Sequence, residues 1–182
     1  MLIPDTDNSI FCIVDMQEKF LPAISEMPAA LGRTEILLRA MNELKVPLLV
    51  TEQYPRGLGP TLPSLKTLLP EGTPVIEKTS FSCFADKIFR AELEKSSRRV
   101  LLLAGVETHV CLFQTALEAS AAGYEVYLAE DAAASRRPSD KASALRMMRH
   151  AGINVIPSES WIFLLLKDAA HPSFKAVSRL IR

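Results

Sequence analysis

Cysteine is scarce in this chain: three residues in 182, with no pair at CxxC spacing. An odd, widely spaced set argues against a disulfide framework and a thiolate metal site, and fits a reducing, intracellular setting. Net charge is missing too, because 21 Lys and Arg are balanced by 21 Asp and Glu. Without that charge there is no bulk pull toward nucleic acid or an anionic membrane, and neither is expected as a partner. Nor does any apolar run approach the roughly 20 residues that span a bilayer. The N-terminal stretch MLIPDTDNSI carries acids where a signal peptide carries bases. These absences lead to the expectation of a soluble, cytoplasmic protein. No internal repeat, low-complexity tract or break in composition divides the chain. Residues 1–182 therefore read as a single domain, long enough to bury a core without metal or disulfide staples.

What the chain does have is alternation of strand and helix patterns. Residues 9–15, SIFCIVD, are a β-branched and aromatic run ending in Asp15, the form of a central parallel strand. Residues 47–51 and 73–77 read as the second and third strands, the latter followed by Lys78. The fourth is the apolar run that opens at Val100 and stops at Gly105, and residues 125–129 and 154–156 supply the fifth and sixth. Helical spacing is found over residues 31–44, 86–94, 109–122, 139–150 and 161–167, with a last helix after Pro172. Residues 52–70, rich in Pro and Gly, read as a long loop with one turn of helix, and such loops are often functional. The fold expected is α/β: a three-layer sandwich around a Rossmann-like, six-stranded, mainly parallel sheet of order 3-2-1-4-5-6. That order sets the first and fourth strands side by side at the topological switch point, where a crevice opens beyond their carboxyl ends.

Three reactive groups converge on this crevice. Cys111 falls in the first turn of the helix after the fourth strand, with Thr108 as its expected cap, and a helix start favours the thiolate. Asp15 ends the first strand and Lys78 the third. A cysteine hydrolase needs a thiol to attack a carbonyl, a group to move a proton, and donors for the oxyanion. Cys111 supplies the first, Asp15 the second, and Lys78 an ammonium that favours the charged forms of both. The backbone amides of Glu107 and Cys111 are the natural oxyanion donors. Gln17 and Phe20 are candidate pocket walls, and Tyr54 and Arg56 candidate substrate contacts, Arg56 for a carboxylate. Cys12 reads as packing, Cys83 as packing close to the pocket, and Asp131 as a structural carboxylate bonding nearby backbone or Ser135. The apolar residues 161–166 fit either an interface or the core.

The residues resemble those of the isochorismatase-like cysteine hydrolases. The resemblance lies in IVDMQEKF, EKTSFSCF and GVETHVC, the last followed by TALEASAAGYEVYLAEDAAASR; TEQYPRGLGPT and HPSFK point to one branch. It covers nearly the whole chain. What it implies is a catalytic triad of Asp15, Lys78 and Cys111, and a cis peptide between Val106 and Glu107 that turns the amides of Glu107 and Cys111 toward the oxyanion. It also implies a small-molecule substrate hydrolysed at a C–N bond (amide, imide or carbamoyl), and assembly as a homo-oligomer. Nicotinamidase-like members of the family hold a metal through an Asp and histidines after the second strand. This chain has Glu52-Gln53-Tyr54-Pro55 there, and His109, His150 and His171 lie far away, so no catalytic metal and no cofactor are expected. Two other readings stay open: hydrolysis of a vinyl ether, as in the name-giving members, and a non-catalytic interaction module.

Overall fold

In the computed structural model, which describes residues 2–182, six parallel strands form one sheet of order β3-β2-β1-β4-β5-β6. The strands are β1 (Ser9–Val14), β2 (Leu48–Gln53), β3 (Val75–Lys78), β4 (Val100–Val106), β5 (Glu125–Ala134) and β6 (Asn154–Ile156). The order is the one expected, and every pairing is parallel, so the sheet is wholly and not merely mainly so.

Among the described residues eight α-helices connect or follow the strands: α1 (Met27–Glu43), α2 (Pro55–Leu58), α3 (Pro63–Lys66), α4 (Lys87–Lys95), α5 (Phe113–Ala121), α6 (Pro138–His150), α7 (Ser158–Leu166) and α8 (Phe174–Ser178). Alternation along β1 sorts them into two layers. Phe11 and Ile13 face Leu37, Leu38 and Met41 of α1 and Trp161 of α7, whereas Ile10, Cys12 and Val14 face Phe89 of α4, Ala116 of α5 and Met148 of α6. Both faces of the central strands are covered, which is why β1 and β4 read as unbroken apolar runs. Among the described residues no helix is long and apolar enough to cross a membrane.

Several boundaries differ from the expectation. Helix α1 begins four residues earlier than expected, with Pro28 in its first turn, where a missing N–H costs nothing. The 52–70 stretch holds two short helices, α2 and α3, and is drawn back onto the sheet. Glu52, buried at the end of β2, accepts hydrogen bonds from the backbone and hydroxyl of Thr61, both at 2.7 Å. Strand β4 continues through Gly105 to Val106. Gly105 has φ +129°, and a Cβ there would lie 2.0 Å from the carbonyl oxygen of Val14, so only glycine lets β4 pass this close to the end of β1. Beside it the β4–β5 register shifts, and β5 runs on five residues past Ala129.

Asp131, inside that extension, is structural but not through Ser135. Its carboxylate accepts the backbone N–H and the hydroxyl of Ser158 at 2.7 Å each, pinning the start of α7 to the sheet. Loss of this cap in Asp131→Ala should cost about 1–2 kcal/mol, read as a lower urea midpoint.

Candidate active site

The carboxyl ends of β1, β2, β3 and β4 are level, with Val14 opposite both Thr51 and Gly105, and Gln53 opposite Lys78. Asp15 therefore leaves the sheet at the centre of this edge, with φ +55°, a conformation Asp tolerates better than most side chains. Its side chain is fully buried. Oδ1 accepts the Thr51 hydroxyl at 2.7 Å, and Oδ2 accepts the Lys78 ammonium at 2.7 Å. Lys78, the last residue of the edge strand, would ordinarily be solvated. Here it turns inward and donates also to Gln53 Oε1 at 2.7 Å and toward the carbonyls of Ser80 and Phe81 at 3.2 and 3.3 Å. Burial, the largest single influence, would push the Lys78 ammonium down, but the Asp15 carboxylate together with Cys83 and Cys111 outweighs it and holds the pKa above the ordinary lysine value.

Cys111 lies against this pair, on a turn whose form differs from the expected helix start. The Val106–Glu107 peptide is cis. Residues Thr108–Leu112 then make a π-helical turn, in which Leu112 N–H donates to the Glu107 carbonyl at 3.3 Å, before α5 begins at Phe113. Such five-residue turns recur at functional sites. Thr108 does not cap the helix; its hydroxyl donates to the Ala134 carbonyl at 3.0 Å, while His109 Nδ1 is hydrogen-bonded to Ser135 Oγ at 3.0 Å. Both bonds tie the turn to the end of β5. Glu107 is held from the same side, accepting Arg136 N–H at 2.9 Å and Arg136 Nε at 3.0 and 3.1 Å.

The Cys111 thiol is shifted opposite to the direction expected from a helix start. Burial raises its pKa most, the Asp15 carboxylate raises it further, and Lys78 only partly offsets them. At rest the group is a thiol facing a carboxylate, and not a thiolate.

A cavity of about 330 Å³ opens above Cys111, with walls that include Phe20, Gln53, Leu58, Phe81 and Val110. Phe20 lines this cavity. Gln17 is not on the wall. It is buried, donating to the carbonyls of Gln53 and Gly59 and accepting the Gln53 N–H, a clamp between β1 and the loop after β2. Tyr54 and Arg56 line a different cavity, of about 380 Å³, on the β3 side with Glu77 and Asp86. The turn at Tyr54, φ +38°, carries them away from Cys111. Cys12 and Cys83 are buried and line neither cavity; Cys83 N–H donates to Thr115 Oγ1 at 3.0 Å. Among the described residues no cluster of three or more His, Cys, Asp or Glu is arranged to hold a metal ion.

The family model for the isochorismatase domain matches residues 9–160, most of the chain. The chain belongs to the isochorismatase family. Isochorismatase domain-containing protein 2A of Mus musculus is 38% identical over 177 residues, spanning 97% of this chain and 84% of that protein. A solved structure described as MAR1 ribonuclease from Caenorhabditis elegans superposes with a TM-score of 0.94 at 37% identity, covering 99% of this chain and 92% of its own. The YcaC gene product of Escherichia coli, described as an octameric hydrolase of unknown specificity, shares the fold with a TM-score of 0.93 at 22% identity, covering 100% of this chain and 90% of its own.

Within this isochorismatase-family site, residues that sequence reasoning missed are Thr51, Gln53, Lys19, Leu58, Phe81, Val110 and Arg136. Thr51 and Gln53 carried a usable signal. They alternate on β2, the strand between Asp15 and Lys78, and polar residues ending a buried strand face whatever charge lies beside them. The others come from turns whose paths only the folded chain defines.

Proposed function

We propose that this isochorismatase-family chain is a cysteine hydrolase of small amides, imides or carbamoyl compounds. The observation that carries the reading is a buried thiol under the influence of a carboxylate that is itself paired with a buried ammonium, at the floor of a cavity of substrate size. As Cys111 Sγ attacks the carbonyl carbon, Asp15 takes the thiol proton. The oxyanion falls to the amides of Glu107 and Cys111. Asp15 then returns the proton to the leaving nitrogen, an acyl thioester remains on Cys111, and water activated by Asp15 releases the acid. Thr51 and Lys78 hold the carboxylate aimed throughout.

The test is a chemical quench during turnover of a panel of small amides, followed by intact-mass measurement. An acyl adduct mapped to Cys111 is expected. With a vinyl ether added to the panel, its turnover without any adduct while the amides stay intact favours the vinyl ether reading, in which protonation replaces thiol attack. The ribonuclease description of the C. elegans neighbour earns a single-stranded RNA in the same panel, although the balanced charge of this chain gives no general affinity for a polyanion. We also propose a cytoplasmic homo-oligomer. Its supports are the octameric description of the E. coli neighbour, three free cysteines, and Phe163 and Leu164 left exposed on α7 while Trp161, Ile162, Leu165 and Leu166 are buried.

A further inference from the structure

The cavity above Cys111 carries charge that the hydrolytic scheme does not use. Its charged wall residues are Lys19, Glu107 and Arg136. Glu107 and Arg136 neutralise each other through the bonds between Nε and the carboxylate. Below them Asp15 and Lys78 form a second neutral pair, and Cys111 is a neutral thiol at rest. Lys19 is left over, with no ion-pair partner among the described residues. Its neighbour Glu18 is turned toward Gly59, where a Cβ would meet the Glu18 carboxylate at 3.4 Å. Arg136 engages Glu107 through its backbone N–H and Nε, and its two terminal nitrogens make no hydrogen bond among the described residues. Apart from the uncharged amide of Gln53, the remaining walls near Cys111 are apolar, from Phe20, Ala23, Leu58, Phe81 and Val110.

We infer that the substrate is an anion: a small amide bearing a carboxylate beyond a short apolar segment, of the type of a dicarboxylic acid monoamide. The amide reaches Cys111, the apolar segment lies against Phe20 and Phe81, and the carboxylate is received by Lys19 and the free edge of Arg136. Arg136 suits this role because its guanidinium offers donors in a planar fork, so that Glu107 can be held on one side and a second carboxylate on the other. Carboxylate recognition thereby moves from Arg56, which the fold carries to the other cavity, to Lys19 and Arg136. This inference rests on the proposed thiol chemistry for the placement of the amide, but the charge of the cavity can be measured without turnover.

Iodoacetate and iodoacetamide are nearly equal in size and deliver the same carbon to sulfur, and only the first is an anion. In the protein as a whole, the rate of Cys111 alkylation by each is followed by mass spectrometry, and their ratio is compared with that of 2-mercaptoethanol, an uncharged small thiol. The iodoacetate-to-iodoacetamide ratio should exceed the 2-mercaptoethanol ratio by about fivefold, the effect of one unbalanced, partly screened cation at this range. In Lys19→Gln the ratio should fall back to the 2-mercaptoethanol value, and in Arg136→Gln it should fall at least as far, because Glu107 is then left unbalanced. A wild-type ratio equal to that of 2-mercaptoethanol, or one unmoved by Lys19→Gln, overturns the anionic substrate and leaves the thiol chemistry standing. Alkylation at Cys12 or Cys83 while Cys111 stays unmodified overturns both.

Discussion

Asp15→Asn should lower turnover by about a thousandfold, the scale of a lost general base, and should at the same time make Cys111 easier to alkylate at neutral pH. The two effects have opposite signs because Asp15 does two things. As a carboxylate it accepts the thiol proton during attack. At rest, after burial, it is the chief reason the thiol stays protonated. Asparagine removes the base and the negative charge together, and leaves the Lys78 ammonium without its anion in a buried position. The thiolate is then the best anion within reach, so the Cys111 pKa falls. Kinetics on a turned-over amide and the pH dependence of iodoacetamide labelling measure the two arms. If Cys12 and Cys83 became labelled along with Cys111, the variant would simply have lost its structure, since all three are buried in the fold. If turnover survived, Asp15 would not be the proton shuttle.

The charge pattern around Cys111 explains how much was legible in the sequence. Strand order and the crevice followed from apolar runs ending in Asp15 and Gly105, because strands buried on both faces have little sequence freedom. The convergence of Asp15, Lys78 and Cys111 followed from that order, since all three stand at carboxyl ends of strands. The state of the thiol did not follow. A helix start argues for a thiolate, but the local turn is a π-helical one, and the burial and carboxylate that decide the matter come from other strands. Five residues of π-helix leave no mark on an apolar period. The inward turn of Lys78 has no local signal for a related reason: alone it is a lysine ending an edge strand, and its acceptors on Asp15 and Gln53 come from two other strands. Tyr54 and Arg56 follow the second strand and so were expected near the crevice, but the left-handed turn at Tyr54 sends them to the outer side of β3. Lys19 and Arg136, on which the substrate inference turns, stand 117 residues apart in the sequence and meet only because both line one cavity.

Lys78→Met should destabilise the fold by about 3–5 kcal/mol, the cost of breaking a buried ion pair from one side and leaving Asp15 charged and uncompensated. Methionine matches the length and apolar stem of lysine, so little of the loss comes from packing. Adding Asp15→Asn to Lys78→Met should recover a large part of it, because the uncompensated charge is then gone; a buried pair is costly to halve and much less costly to replace. Urea unfolding followed through Trp161, buried in the other layer of the core, reads the whole cycle. The pH dependence has a definite sign. The folded pKa of Lys78 is raised from 10.5, so its stabilisation is complete below that value and is lost as pH rises through the higher folded one. The wild type should therefore lose stability at alkaline pH more steeply than Lys78→Met, which has no ammonium to titrate there. Equal slopes, or a double variant less stable than Lys78→Met alone, would mean that the ammonium is not what compensates Asp15.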